Sequence, residues 1–297
     1  MMNMRNFLIV IFCICCSVAA NAQTNLLNAR IPEEIGLKSD AQLISDNDKP
    51  LEYGYVNDRD VLMGKTVWEI IDLSERINFP LYFPIDTANI GLERRSLYDV
   101  LTKAIRSGEI SEVYSDSYFN TKKSFEDIQA SLTRIDTTDA GREQINAGQQ
   151  ISPEYIVKQN LSSQDVTQYK IKGYWYFDKR QSELKYRLLG ICPVTPDVYT
   201  MNSDEKDYIE LFWVFFPAAR DVLHEAKSFN DKNSAMAMSF DQILNARRFN
   251  AVIYQEENVY GDRTIASYMK DNAQNQLLEA ERVKSKIRDF EENMWNY

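Results

Sequence analysis

The chain has 297 residues, and its 44 acidic side chains outnumber 34 basic ones, for a net charge of −10. That balance gives a phosphate backbone no positive footprint to hold, which argues against DNA or RNA as a partner. The apolar share, 44%, is that of an ordinary globular protein and suffices for one large domain or two small ones.

The first residues read as a secretory signal. Arg5 supplies a short positive region, Phe7 to Val18 is apolar, and Ala20-Asn21-Ala22 fits small-x-small cleavage between Ala22 and Gln23. Neither Cys13 nor Cys16 has the leucine-like and small neighbours that a lipid-attachment cysteine needs. After cleavage only Cys192 remains, so no internal disulfide is expected. The expected organisation is a signal peptide at 1–22, a flexible arm at 23–57 and an α+β domain at 58–297. The mature chain is expected in the periplasm. The arm is rich in Asn, Asp, Ser, Lys and Glu, and its scattered Leu and Ile cannot bury enough surface to fold alone.

The β-branched cluster Thr66 to Ile71 suggests a strand, and Pro80 and Pro84 bracket an extended piece, Leu81 to Phe83. Ser96 with Asp99 opens a helix whose stripe is Leu97, Val100, Leu101, Ala104 and Ile105, and Gly108 stops it. A short strand follows over Ile110 to Tyr114, then a second helix from Ser124 to Ile135. Residues 137–164 are polar and longer than most loops, and they read as an excursion from the domain.

The most committed stretch is Asp165 to Pro217. Tyr169, Ile171, Gly173, Trp175 and Phe177 alternate with Lys170, Lys172, Tyr174 and Tyr176, the period of a strand with one buried face. Leu184, Tyr186 and Leu188 alternate with charged residues across a hairpin loop, and Ile209 to Phe216 reads as a third, fully covered strand. The fold class expected is therefore α+β: an antiparallel meander packed with amphipathic helices. Pro217 opens a helix with Ala219, Val222, Leu223, Ala226 and Phe229 on one face and Arg220, His224 and Lys227 on another. Ser239 with Gln242 caps the next helix, which leads into a strand at Ala251 to Tyr254. A long C-terminal helix spans residues 272–296.

Chemistry is hard to find. There is no phosphate-binding Gly-rich loop and no nucleophile elbow. One histidine and one mature cysteine build no zinc site and no nucleophile–base pair. No cofactor is expected. Asp204 with Asp207, or Glu256 with Glu257, are the carboxylate pairs a glycan hydrolase would use, and Tyr174 with Tyr176 the stacking face of a small-ligand binder. Arg220, His224 and Lys227 read as a solvated helix face or, if functional, as a basic patch suited to an acidic partner surface. Phe290 and Trp295 end the last helix in aromatics that either pack on the sheet or fill a neighbour's groove.

The stretches TVWEIIDLSERINFPLYFP, YKIKGYWYFDKRQSELKYRLLGICPV, ELFWVFFPAARDVLHEAKSFN and SFDQILNARRFNAVIYQEENVYGDRTIASY, with the closing FEENMWNY, resemble the gliding-motility family GldN, called PorN in non-gliding relatives. The resemblance covers about Asp58 to Tyr297. It implies a structural, non-enzymatic component of the Bacteroidetes type IX secretion system. Such proteins form a ring with the outer-membrane lipoprotein GldK/PorK and contact the periplasmic part of the motor protein GldM/PorM. They support protein export across the outer membrane. A missing lipid-attachment cysteine agrees with that role, since the lipoprotein would hold the anchor.

Overall fold

The computed structural model describes residues 49–86, 95–124, 126–128, 133–137, 142, 144, 146–148, 153–197, 207–229, 238–270 and 272–295. The expected signal, its cleavage point at Ala22 and Gln23, and the arm up to 48 lie outside these residues. Pro50–Tyr297 forms one compact unit.

The strands in chain order are β1 (Val61–Asp72), β2 (Val113–Tyr114), β3 (Lys122–Lys123), β4 (Thr133–Thr137), β5 (Ile156–Asn160), β6 (Gln168–Asp178), β7 (Glu183–Pro196), β8 (Tyr208–Glu210), β9 (Trp213–Phe215), β10 (Lys227–Ser228), β11 (Met238–Ser239) and β12 (Val252–Glu256). The helices are α1 (Phe79–Tyr82), α2 (Leu97–Ser107), α3 (Phe216–Glu225), α4 (Phe240–Asn245), α5 (Ile265–Tyr268) and α6 (Ala273–Trp295). The main sheet runs β12-β1-β6-β7-β9-β2-β3, with β8 beside β7, and its pairings are antiparallel. The expected α+β class holds, long last helix included.

The β6–β7 hairpin pairs Asp178 with Glu183, as the alternation demanded. Ser96 caps α2 by accepting the Asp99 N–H at 3.2 Å, and Gly108 ends it at φ 82°, a conformation glycine enters without strain. Ser239 and Gln242 exchange both bonds of a capping box at the start of α4.

Four expectations fail for local reasons. The run Ile209 to Phe216 is not one strand. Leu211 and Phe212 step out of the ladder, Leu211 N–H donates to the Pro193 carbonyl at 3.1 Å, and Phe216 already begins α3. The step sends Leu211, Phe212 and Val214 into one core and Trp213 into another, which strict alternation would forbid. Leu81 to Phe83 is not extended. Pro80 sits in the first turn of α1, where its missing N–H costs nothing. Ile135 lies in a strand: β4 pairs with β5, so the polar excursion closes as a ribbon at its base. The helix opened by Pro217 stops at Glu225, because Ala226 turns extended at ψ 128° and β10 follows.

One sheet face is covered by helices in two groups. Ile71, Tyr169, Ile171, Leu188 and Ile191 pack with residues of α2, α3 and α4, while Val67 and Ile253 pack with Ile265 of α5 and Ala280, Val283 and Ile287 of α6. The opposite face carries Trp68, Cys192 and Trp213, against which Tyr114, Phe119 and Tyr254 pack.

Candidate functional site

Two buried arginine–carboxylate clusters and one aromatic cage concentrate the polar chemistry of the described residues. The first begins on β1. Glu69 is 3% exposed and faces the helices from a strand whose neighbours are apolar. An uncompensated carboxylate there would cost several kcal/mol. Arg247 meets it with two parallel bonds of 2.8 Å, and the Tyr186 hydroxyl donates to the same carboxylate at 3.2 Å. The guanidinium lies 4.1 Å over the Tyr186 ring and 5.3 Å from the rings of Trp175 and Phe249. Gly173 makes this possible, since a Cβ there would fall 2.0 Å from the Tyr186 hydroxyl. Burial, and then the Glu69 charge, push the Tyr186 hydroxyl well above its usual range.

The second cluster joins α3, α4 and the residues before β1. Arg220 donates to both oxygens of Asp241 at 2.8 and 3.2 Å. Asn245 donates to Asp241 Oδ1 at 2.7 Å, and His224 Nδ1 stands 3.9 Å from Oδ2. The Tyr53 hydroxyl donates to Asn245 Oδ1 at 2.7 Å. Two guanidinium groups stand over its ring, Arg220 at 4.2 Å and Arg187 of β7 at 4.6 Å, and Arg187 also donates to the Gly54 carbonyl at 3.2 Å. Burial raises the Tyr53 pKa, with Arg220 acting the other way. Leu51 and Tyr55 on either side are 85% and 80% exposed, so Tyr53 is the anchor of this segment.

The cage lies on the opposite sheet face. Lys172 Nζ stands 4.9 Å over Trp68, 4.7 Å over Tyr118 and 5.6 Å over Phe119, and donates to the Ser117 carbonyl at 3.0 Å. Burial lowers its pKa, and the carboxylates of Asp262, Glu257 and Asp116 partly restore it. Beside it Glu210 accepts from Lys170 at 2.8 Å and from Trp213 Nε1 at 2.7 Å. The Lys172 contacts with Ser117, Tyr118 and Phe119 hold the loop between β2 and β3 down on the sheet.

The expected site residues separate. Arg220 and His224 are 8% and 7% exposed, so they are no solvated basic face, and Lys227 has left the helix for β10. The reason is Asp241, which α4 brings opposite α3. Phe290 is half-buried and packs edge-on against Phe177 at 5.9 Å, while the Trp295 side chain lies outside the described residues. Glu256 pairs with Lys65 at 3.1 Å and Glu257 accepts the Thr66 N–H at 3.3 Å, so both serve the β1–β12 join. The Asp207 carbonyl accepts the Asp197 N–H, and Asp204 lies outside the described residues. Tyr174 and Tyr176 do stack, at 6.1 Å, but Tyr176 is buried and Arg187 lies 5.7 Å from its ring. Cys192 is fully buried and its thiol pKa is pushed well up by burial, the opposite of a nucleophile's environment. Sequence reasoning missed Tyr53, Glu69 and Arg247; the Glu in an apolar strand run was the one available signal.

Among the described residues no three His, Cys, Asp or Glu side chains stand close enough to hold a metal ion. No described helix is long and apolar enough to cross a membrane. Residues 56–296 match the family model of the gliding motility associated protein GldN, and the chain belongs to that family. No curated protein matches it.

Proposed function

From membership of the GldN family over residues 56–296, we propose that this protein is a periplasmic structural part of the type IX secretion and gliding machinery. Family membership is the observation that carries the reading. The mature chain begins at Gln23, is held at the outer membrane by a GldK/PorK-like lipoprotein, assembles with it into a ring and meets the periplasmic part of a GldM/PorM-like motor protein. Its role is to hold neighbours in place while proteins cross the outer membrane, not to make or break bonds. The buried charges support this, since Glu69, Asp241, Arg220 and Arg247 are spent on one another. A ring requires two different faces on each subunit, joined head to tail with a rotation that closes.

Size-exclusion chromatography of the mature protein, alone and with the lipoprotein, tests the reading. The expected result is a large shared species that forms only with the lipoprotein. A monomer indifferent to the lipoprotein, with a turnover reaction abolished by changing one acid, would overturn it.

A further inference from the structure

Residues 49–57 rest on the body without entering it. None of them is buried, and Leu51 and Tyr55 stand mostly in water. A Cβ added at Gly54 would meet nothing within 4 Å. The segment is tied down by the Tyr53 side chain, through its Asn245 bond and its two guanidinium contacts, and by the Arg187 bond to the Gly54 carbonyl. The socket that receives Tyr53 is built without the segment. Asp241 holds Arg220 by two bonds, and the Asn245 amide donates both to the Asp241 carboxylate at 2.7 Å and to the Asp241 carbonyl at 3.0 Å. With its nitrogen turned to Asp241, Asn245 keeps Oδ1 as a fixed acceptor for the Tyr53 hydroxyl. A socket organised in advance takes a tyrosine from any chain that can reach it, because its bonds do not depend on which chain brings the ring.

Two features favour a neighbouring copy as the source. A segment that stays on its own body leaves Leu51 and Tyr55 in water, whereas one that crosses to a neighbour runs between two bodies, where both are covered. The parts are also asymmetric. The segment precedes β1, while the socket belongs to α3, α4 and β7, so giving and receiving use different faces, as a head-to-tail ring requires. We infer that in the assembled protein residues 49–57 of one copy seat Tyr53 in the Arg187, Arg220 and Asn245 socket of the next. Exchange loses no socket contact, since each socket that releases its own tyrosine receives a neighbour's. In a ring that neighbour is present at an effective concentration on the order of millimolar. The tether sets the geometry. Asn57 is fixed at the start of β1, its carbonyl accepting the Asp60 N–H at 2.8 Å and its side chain the Arg59 N–H at 3.3 Å. Four residues reach about 14 Å, so the next copy's socket must stand that close to the start of β1.

Exchange rests on the ring proposed above and names the residues that join its copies. The test places cysteines beside the contact, Glu52→Cys next to Tyr53 and Ala246→Cys next to Asn245. Both positions are exposed, and the fully buried Cys192 is out of a reagent's reach. A flexible bismaleimide then links positions 52 and 246. In the isolated, doubly substituted protein the bridge should form within one chain. After assembly with the lipoprotein it should be lost within chains and appear between them. A mixture of the two singly substituted proteins should give the same interchain bridge, and adding Tyr53→Ala, which should leave the domain folded, should abolish it. Normal assembly with the bridge kept within one chain would overturn exchange and leave the ring role standing. An interchain bridge that survives Tyr53→Ala would do the same, since it marks neighbours that pass close without using the socket. A mature protein that forms no shared species with the lipoprotein would overturn both.

Discussion

The two arginine–carboxylate clusters use the same parts for different ends. In each, an arginine grips both oxygens of one buried carboxylate and lies against tyrosine. Around Glu69 and Arg247 every wall belongs to the folded body: Tyr186 and Trp175 come from the central hairpin and Phe249 from the turn before β12. Around Asp241 and Arg220 one wall is Tyr53, which precedes the first strand. Buried ion pairs seldom add net stability, because the cost of desolvation offsets most of the attraction. What they add is uniqueness of arrangement. The first pair fixes the sheet against its helices; the second fixes where the N-terminal segment joins the body.

Removing one partner of each pair should separate these roles. Glu69→Ala leaves Arg247 charged beneath the sheet and should cost about 3–5 kcal/mol, read as a lower urea midpoint with an unchanged slope. Asp241→Ala strands Arg220 in the same way, but water enters more easily beside an N-terminal segment, so about 3 kcal/mol is expected. Only the second change should also unprotect residues 49–57 in hydrogen exchange. If Glu69→Ala frees that segment equally, the two clusters are one cooperative unit and the distinction fails.

Alkaline pH tests the buried hydroxyls without mutation. Burial pushes Tyr98 up to about 12 and raises Tyr186 well above the usual value near 10. A hydroxyl that resists ionising when folded ionises freely when unfolded. Stability from these groups is therefore complete below about pH 10 and drains away as pH rises. Tyr98 alone should remove roughly 2–3 kcal/mol by pH 12. Glu69→Gln removes the charge that helps hold Tyr186 neutral, so its pH curve should fall less steeply than that of the wild type. Equal slopes would place the Tyr186 effect in burial alone.

Local signals were legible in the sequence, and long-range pairings were not. Ser96, Gly108 and the Ser239–Gln242 box announce helix ends because capping is settled within four residues. The alternation from Gln168 to Asp178 is likewise self-contained. Arg220 and His224 stand four residues apart, and one helix read alone makes that pair look like a solvated polar face, although both are buried beside Phe216, Ala219 and Leu223. Asp241 lies opposite it on another helix, and no periodicity within α3 reports it. The Glu69–Arg247 pair spans 178 positions and the Tyr53–Asn245 bond 192, beyond any local pattern. The break at Leu211 and Phe212 is of the same kind: their burial is decided by β7 and the helices, not by their own alternation.

The smallest expected effect is the most informative about the arm. The Tyr53 side chain makes one hydrogen bond and packs its ring against two guanidinium groups, each contact worth about 0.5–2 kcal/mol when partly desolvated. Some of that is lost in ordering the segment, so Tyr53→Ala should lower global stability by only about 1 kcal/mol. Tyr53→Phe keeps the ring contacts with Arg187 and Arg220 and loses only the bond to Asn245, so it should retain most of the protection at 49–57. Limited proteolysis reads this directly: cleavage before residue 57 should quicken strongly in the alanine protein and slightly in the phenylalanine one, with β1 onward still resistant. Were the alanine protein to melt as early as Glu69→Ala, Tyr53 would belong to the core, and the segment before β1 would be part of the domain rather than something latched onto it.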